Sequence, residues 1–339
     1  MRDFSQIVAQ RPVALMQLEE IRALVTDDLR RVDQTIVDRL ASDVVLVNQV
    51  SQYIVGGGGK RLRPLSVVLA ARACGHRGDK HVPAAAIIEF IHTATLLHDD
   101  VVDSSDKRRG RDTANHVFGN QASVLVGDYL YSRSFQMMVE LGDMRIQEVM
   151  ANATNTIAAG EVLQLMNAHD PDTTEKSYLE VIYRKTARLF EAGAQMAAIL
   201  SGSPQAVQEA MVAYGRHLGM AFQLVDDALD YTADADELGK NLGDDLAEGK
   251  PTLPVIYALA HAPADAKARL RGAIENGGSG TENLEDVTRL IRDSGGLEYT
   301  SRMANEHRDA ALAALEALPV SRYRDALAAL AEFSVARSY

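Results

Sequence analysis

Apolar residues recur at intervals of three and four along most of this 339-residue chain, the spacing that places them on one face of an α-helix. No segment alternates apolar and polar residues convincingly enough to predict a β-strand. The pattern predicts helices over residues 13–29, 33–54, 65–74, 83–104, 120–141, 144–168, 175–202, 205–232, 252–261, 264–275, 282–294, 297–317 and 321–336.

Turn signals separate these helices without dividing the chain into parts. They are GGGG at 56–59, GHRGD at 75–79, HDPDT at 169–173, SGSP at 201–204 and NGGSG at 276–280. No proline-rich linker, low-complexity tract or fixed-period repeat is present. We therefore expect residues 1–339 to form a single domain, a large all-α helical bundle.

Composition supports helices and narrows the class of protein. Hydrophobic residues make up 47% and aromatic residues only 5%, while Ala, Leu, Glu and Arg, which lose little freedom in a helix, are frequent. A net charge of -12 argues against a nucleic-acid binder, which normally carries a basic surface. Any anionic ligand must then be held by local groups of cations.

Cysteine usage and hydropathy bear on the compartment. Cys74 is the single cysteine, which excludes an internal disulfide and fits a reducing compartment. Neither a long apolar N-terminal segment nor a run of about eighteen apolar residues occurs. We expect a soluble, cytoplasmic protein without stable insertion into a membrane.

Two acidic clusters carry the first chemical signal. The segments LLHDDVVD (96–103) and LVDDALD (224–230) both place the spacing D-D-x-x-D in an apolar helical setting. Like charges four residues apart on a helix repel, and an apolar turn precedes each cluster, so a solvated acidic face explains them poorly. Carboxylates are hard ligands for Mg²⁺, which offsets the repulsion and bridges carboxylates to substrate phosphates.

Cationic residues accompany the clusters, as a phosphate ligand requires. The glycine run at 56–59 directly precedes the first of these cations, Lys60. It is not a Walker A loop, because Lys60 is followed by Arg61 rather than Ser or Thr. Arg binds phosphate oxygens bidentately and Lys supplies a point charge. The candidates are Lys60, Arg61, Arg63, Arg108, Arg109, Lys185, Lys240 and Lys250.

The ordered set of motifs resembles the trans-isoprenyl diphosphate synthase family, and within it the bacterial members that make octaprenyl diphosphate. GGKRLRP, LLHDDVVD with its trailing RRG, YRKTA, FQLVDDALDY and GDDLAEGKPTLP stand in the family's order, and the resemblance runs from about residue 10 to the C-terminus. It implies an all-helical bundle, usually a homodimer, whose two aspartate-rich helices face each other across a deep central cavity.

The resemblance also implies roles for matching residues. The catalytic set would be Asp99, Asp100, Asp103, Asp226, Asp227, Asp230 and Lys185. Mg²⁺, as three ions with substrate bound, would be held by Asp99, Asp103, Asp226 and Asp244. The allylic diphosphate would be bound by Arg108, Lys185, Thr186, Gln223, Lys240 and Lys250. Isopentenyl diphosphate, the second substrate, would be bound by Lys60, Arg63, His92 and Arg109.

The implied reaction lengthens a prenyl chain. Ionisation of the allylic C–O bond gives an allyl cation, and the double bond of isopentenyl diphosphate attacks it. Proton loss, which the family account assigns to the released diphosphate, then gives an allylic diphosphate five carbons longer. Such an apolar product suits the side chain of a quinone and would leave through transient contact with a membrane.

Product length should depend on the cavity beneath the first cluster. Ala94 and Thr95 occupy positions where short-chain members tend to carry bulky aromatic residues. Small side chains there predict a long product, about eight to ten isoprene units by the resemblance, with Phe135 or Met138 as the tunnel floor. Two alternatives stay open: the small residues could serve only close helix packing, and the product could be geranylgeranyl diphosphate.

Other functions would use some of the same residues. A class I terpene cyclase also has aspartate-rich Mg²⁺ sites, but it does not need Lys60, Arg63 and Arg109 for a second substrate. A non-catalytic partner subunit would be expected to have degraded motifs, whereas both clusters are intact here. Glu89 and His92 match the E-x-x-H pattern of di-iron bundles, but no partner motif accompanies them.

Overall fold

A computed structural model describes residues 16–108, 110–232, 243–277 and 284–336. Its helices are α1 Leu18–Ala23, α2 Thr26–Leu40, α3 Val45–Val55, α4 Leu62–Ala73, α5 His81–Val102, α6 Ala114–Phe118, α7 Asn120–Leu141, α8 Met144–Asn167, α9 Glu175–Ile182, α10 Arg188–Leu200, α11 Gln205–Leu229, α12 Asp244–Ala247, α13 Leu253–His261, α14 Ala264–Asn276, α15 Leu284–Asp293, α16 Gly296–Ala314 and α17 Arg322–Ala336. A π-helical turn, Tyr183–Ala187, joins α9 to α10, and a 3₁₀ turn, Leu315–Ala317, follows α16.

The all-α class is confirmed, with a few local differences. The short strands β1 Lys107–Arg108 and β2 Arg111–Asp112 pair antiparallel. They are too short to show an alternating pattern, and so the sequence did not predict them. The helices α6 and α12 were also not predicted. The helix predicted to begin at residue 65 begins at Leu62, because a proline in the first turn needs no hydrogen-bonding N–H.

Two predicted helices at the N-terminal end are divided. The prediction of one helix over 33–54 is wrong, because α2 ends at Leu40 and α3 begins at Val45. Reciprocal hydrogen bonds fix the break: the Ser42 N–H donates to Asn48 Oδ1 at 3.0 Å, and Asn48 Nδ2 donates to the Ser42 carbonyl at 2.8 Å. The helix predicted over 13–29 is α1 followed by the start of α2, and residues 13–15 lie outside the described residues.

The largest core lies where α5 packs on α7 and where α10 packs on α4 and α11. Its most deeply buried members, each at most 1% exposed, include Leu65, Leu69, Ile87, Ile88, Ile91, Leu97 and Leu130. A smaller buried group lies among α12 to α15 and includes Leu246, Val255, Leu270 and Ile291. This packing holds α5 and α11, the two helices that carry the aspartate clusters, within one bundle.

Within the described part of the chain, no helix combines the length and the apolar character that a membrane crossing needs.

A histidine pair joins α11 to α16. The Nδ1 atoms of His217 and His307 lie 2.8 Å apart. Burial, with smaller contributions from His217 and Arg216, lowers the pKa of His307 to about 4. The folded protein therefore keeps His307 neutral at pH values where the unfolded chain, with an ordinary pKa near 6.5, takes up a proton.

This difference predicts acid sensitivity. The pair should make the free energy of unfolding independent of pH above about pH 7. Stability should fall as the pH drops from about 6.5 toward 4, by up to about 2 kcal/mol after allowance for partial exposure. Urea unfolding of the wild type and of His307→Gln at pH 7.5 and 5.0 measures the effect. The variant should lose part of the pH dependence, and the exposed control His116→Gln should retain it. Identical pH dependence in the wild type and His307→Gln would contradict this.

Candidate active site

Both aspartate clusters open into one cavity of about 830 Å³. Apart from Arg109 and Lys240, which lie outside the described residues, every residue predicted to bind metal or diphosphate lines it. The lining residues from the sequence prediction are Lys60, Arg63, His92, Asp99, Asp100, Asp103, Arg108, Lys185, Thr186, Gln223, Asp226, Asp227, Asp230, Asp244 and Lys250. Residues from distant parts of the chain are thus brought together as one candidate site.

Each cluster lies at the C-terminal end of a long helix. Asp99 and Asp103 close α5, and Asp226 and Asp230 close α11. The unpaired carbonyl groups at a helix C-terminus carry partial negative charge, which adds to that of the carboxylates. Carboxylates and helix ends thus concentrate negative charge at these two points of the cavity wall, which favours cations there.

The outer aspartates of the first cluster face lysine ammonium groups. Lys185 Nζ lies 3.4 Å from Asp99 Oδ2, and Lys250 Nζ lies 2.8 Å from Asp103 Oδ2. The two aspartate side chains are only 14% and 18% exposed. Burial acts to lower the pKa values of Lys185 and Lys250, but the neighbouring carboxylates raise them by more. Both lysines therefore stay charged.

The middle aspartate of the first cluster is held by an arginine. Asp100 is 1% exposed, and its Oδ1 accepts from Arg108 Nε at 2.8 Å and lies 2.7 Å from Arg108 Nη2. Burial raises the pKa of Asp100, and the guanidinium opposes that rise. In this structure the positive charge of Arg108 therefore balances the negative charge of a buried carboxylate at the edge of the cavity.

The middle aspartate of the second cluster is also held by protein donors. Tyr178 Oη donates to Asp227 Oδ2 at 2.5 Å, and Gln223 Nε2 donates to Asp227 Oδ1 at 2.7 Å. Burial, followed by the charge of Asp245, raises the pKa of Asp227 to about 8. The third aspartate, Asp230, accepts from the backbone N–H of Asp245 at 3.2 Å.

Sequence reasoning missed residues that hold the two lysines. Glu161 Oε2 and Gln164 Oε1 on α8 lie 2.6 and 2.7 Å from Lys185 Nζ. Glu248 Oε2 lies 2.6 Å from Lys250 Nζ. Burial raises the pKa of Glu161, and Lys185 opposes that rise. No signal in the sequence distinguishes Glu161 and Gln164 from polar residues on the solvent face of an amphipathic helix.

The π-helical turn corrects the prediction of an uninterrupted helix over 175–202. Such turns insert an extra residue into a helix and are frequent at functional sites. Here the turn carries the YRKTA motif, and Thr186 Oγ1 donates to Gln223 Oε1 at 2.8 Å. The turn thereby presents Lys185 and Thr186 side by side to the cavity.

Gly160 lets α8 approach this turn. A Cβ atom at position 160 would lie 2.6 Å from Arg184 Cβ and 3.0 Å from the backbone N of Lys185. We expect Gly160→Ala to displace the turn and to lower kcat about tenfold or more, because small displacements of positioning groups have large kinetic effects. Steady-state kinetics together with thermal unfolding tests this, with the exposed neighbour change Ala159→Ser as control. Full activity in Gly160→Ala would show that the close approach has no catalytic role.

The second-substrate residues lie at another part of the cavity wall. Arg63 Nη1 donates to His92 Nε2 at 3.1 Å, which makes that nitrogen an acceptor on a neutral ring. The Arg63 guanidinium lies 4.8 Å from the centre of the Phe190 ring, and Lys60 Nζ lies 5.6 Å from that of Phe333. Aromatic faces thus orient both cations.

The same region disfavours a di-iron site. Glu89 Oε1 lies 3.4 Å from Arg61 Nη1, whereas His92 faces Arg63. Arg61 also lies 3.3 Å from Asp33 Oδ1, so its guanidinium is engaged by two carboxylates. The two members of the E-x-x-H pattern therefore contact different arginines.

The four predicted tunnel residues lie in three different settings. Thr95 lines the cavity, and its hydroxyl donates to the His92 carbonyl at 2.8 Å. Ala94 and Met138 are 1% exposed and belong to the core. Phe135 lies on the outer face of α7, where it is 36% exposed and packs on Tyr131. Its position therefore does not fit a tunnel floor inside one chain.

The donor set fits Mg²⁺. Among the described residues, no three carboxylate, imidazole or thiol groups form a ready-made metal cage. Mg²⁺ suits a site of this kind, because it keeps several waters and takes oxygens from one or two carboxylates and from substrate phosphates. Asp99, Asp103, Asp226 and Asp244 offer such oxygens to one cavity.

Comparison with known proteins places the chain in a family. A model of the polyprenyl synthetase family matches residues 44–291. The chain belongs to this family. The octaprenyl diphosphate synthase of Escherichia coli strain K12 is 55% identical over 322 residues, 95% of this chain and 99% of that protein. The family resemblance is confirmed, and the protein is a prenyltransferase, a synthase of long-chain trans-polyprenyl diphosphates.

Solved polyprenyl synthases share the fold. The polyprenyl synthase of Caulobacter crescentus, solved with calcium and isoprenyl diphosphate, superposes with a TM-score of 0.92 at 43% identity, covering 97% of this chain and 100% of that one. A decaprenyl diphosphate synthase from Rhodobacter capsulatus gives a TM-score of 0.90 at 45% identity, covering 95% of this chain and 100% of that one. The all-α polyprenyl synthase fold is therefore shown for this chain.

Proposed function

We propose that this synthase adds isopentenyl diphosphate units to an allylic diphosphate and makes octaprenyl diphosphate for quinone side chains. The observation that carries the proposal is that one cavity is lined by both aspartate clusters, by Lys185 and Lys250, and by the second-substrate residues Lys60 and Arg63. Two diphosphates of different role need two cationic sites. A terpene cyclase would need only one of them, and a non-catalytic partner would not need the preserved clusters.

Charge stabilisation is the main task of the site. When bound, Mg²⁺, proposed as three ions with substrate, neutralises diphosphate charge as a Lewis acid. Lys185 and Lys250 bind the same leaving group and stabilise the negative charge that develops on it as the allylic C–O bond breaks. Arg108 and Lys240 join this set by resemblance.

The rest of the cavity protects and orients the reacting carbons. Lys60, Arg63, His92 and Arg109 hold isopentenyl diphosphate so that its double bond reaches the allyl cation. Apolar side chains such as Leu96, Val181 and Phe222 line the cavity and exclude water that would quench that cation. The released diphosphate takes the proton that is lost in the last step.

Product length near eight isoprene units is supported by two features. Thr95 leaves space one turn before Asp99, and the relatives include octaprenyl and decaprenyl synthases. A geranylgeranyl synthase uses the same chemistry, so only the product distinguishes them.

The protein is proposed to act as a single domain, as a homodimer and in the cytoplasm. Exposed apolar side chains along α7 and α8 support the dimer, because exposed apolar surface often marks a protein–protein interface. They include Leu125, Phe135, Val139, Val162 and Leu165. The lone cysteine fits a reducing compartment, and the long apolar product calls for transient membrane contact at release.

The test is incubation of purified protein with Mg²⁺, farnesyl diphosphate and radiolabelled isopentenyl diphosphate, followed by chromatography of the dephosphorylated products. A ladder that ends near C40 supports the proposal. A stop at C20 would support the geranylgeranyl alternative, and no incorporation would support a cyclase or a non-catalytic partner.

A further inference from the structure

Tyr178 lines the cavity next to the second aspartate cluster and belongs to none of the sequence motifs. It is on α9, 4% exposed, and its hydroxyl donates to Asp227 Oδ2 at 2.5 Å. We propose that Tyr178 is a positioning residue for metal binding: it fixes the carboxylate of Asp227 and thereby directs Asp226 and Asp230 toward the cavity. This inference rests on the proposed function of the site.

Both oxygens of Asp227 are occupied by protein donors. Tyr178 donates to Oδ2, and Gln223 Nε2 donates to Oδ1 at 2.7 Å. Asp227 is also only 3% exposed, so its role is to hold α11 in place rather than to bind a metal ion directly. Successive residues on a helix point about 100° apart, so fixing Asp227 sets the direction of Asp226 next to it.

The contact extends into a chain of hydrogen bonds across three elements. Thr186 donates to Gln223 Oε1 at 2.8 Å, Gln223 donates to Asp227, and Tyr178 completes the chain from α9. The second cluster and the π-helical turn are therefore oriented by one network. Partners that orient metal-binding groups from behind typically change metal affinity or activity about 10–100-fold when removed.

The apolar packing of Tyr178 can be separated from its hydrogen bond. Its ring belongs to a buried cluster with Ile182, Met220 and Leu224. Tyr178→Phe keeps the ring and removes only the hydroxyl. Tyr214→Phe is a matched control, because Tyr214 is fully buried and its hydroxyl donates to the Leu327 carbonyl at 2.8 Å, in a contact with α17.

The experiment compares wild type, Tyr178→Phe and Tyr214→Phe by two readouts. The first is the Mg²⁺ concentration that gives half-maximal initial rate. The second is binding of Mn²⁺ in the presence of inorganic diphosphate, measured by isothermal titration calorimetry without turnover. We expect Tyr178→Phe to raise both the half-saturating Mg²⁺ concentration and the Mn²⁺ dissociation constant about tenfold. The KM for isopentenyl diphosphate should not change, and Tyr214→Phe should alter only thermal stability.

The outcomes separate this inference from the proposed function. Unchanged Mg²⁺ dependence and Mn²⁺ binding in Tyr178→Phe would overturn the positioning role, whatever happens to stability. An equal shift in Tyr214→Phe would also overturn it, because the effect would then follow from general loosening of the bundle. If wild type binds Mn²⁺ but forms no prenyl product, the proposed function fails while the Mn²⁺ comparison still tests Tyr178.

Discussion

Substitution of Asp99 by asparagine should lower kcat by at least about a hundredfold while the protein remains folded. Asn has nearly the same volume, so the end of α5 should pack as before. The change removes one of the carboxylates that face the cavity, 3.4 Å from Lys185 Nζ. Because Asp99 is a proposed metal ligand, we expect its loss to weaken metal binding, so that the charge on the leaving diphosphate is less well neutralised.

The measurement is kcat for isopentenyl diphosphate incorporation at saturating Mg²⁺ and substrates, with circular dichroism to confirm the fold. Asp38→Asn is the matched control, because Asp38 is an exposed helical carboxylate that accepts a side-chain hydrogen bond from Gln34 at 2.7 Å. The control should keep full activity. A loss below about tenfold in Asp99→Asn would rule out a central role of this carboxylate in binding metal or diphosphate.

The second large effect is expected from Thr95→Phe, which should shift the products from about C40 toward C20. Thr95 lines the cavity one turn before Asp99, where the growing chain must pass if it extends beneath the first cluster. A phenyl ring fills that space and blocks further elongation, although ionisation and condensation need not slow. The result should therefore be a change in product length rather than a loss of turnover.

Chromatography of dephosphorylated products checks this, with Thr95→Val as a control that keeps the volume and removes the hydrogen bond to His92. The control should keep the wild-type product length. Ala94→Phe is a poorer test of product length, because Ala94 is 1% exposed within the core. A phenyl ring there would overpack the core and destabilise the protein by about 1–3 kcal/mol. An unchanged distribution in Thr95→Phe would exclude this route for the chain.

Local sequence information determined the helices well where periodicity and turn signals agree. The helix predicted over 120–141 is observed with the same bounds, and the GGGG and SGSP breaks separate helices as expected. The motifs also identified the residues that line the site. These predictions succeeded because helix periodicity, turn propensity and motif chemistry all act over a few neighbouring residues.

Tertiary structure decided which aspartate of each motif is buried and which protein group holds it. In both D-D-x-x-D clusters the middle aspartate is buried and held by a donor, Arg108 for Asp100 and Tyr178 for Asp227. Tyr178 could not be assigned from spacing, since it lies 49 residues from Asp227, and Arg108 reaches Asp100 from β1 rather than from the same helix. Tertiary contacts also inserted the π-helical turn and placed Phe135 on the outer surface. These features depend on which helix faces meet, which no local pattern specifies.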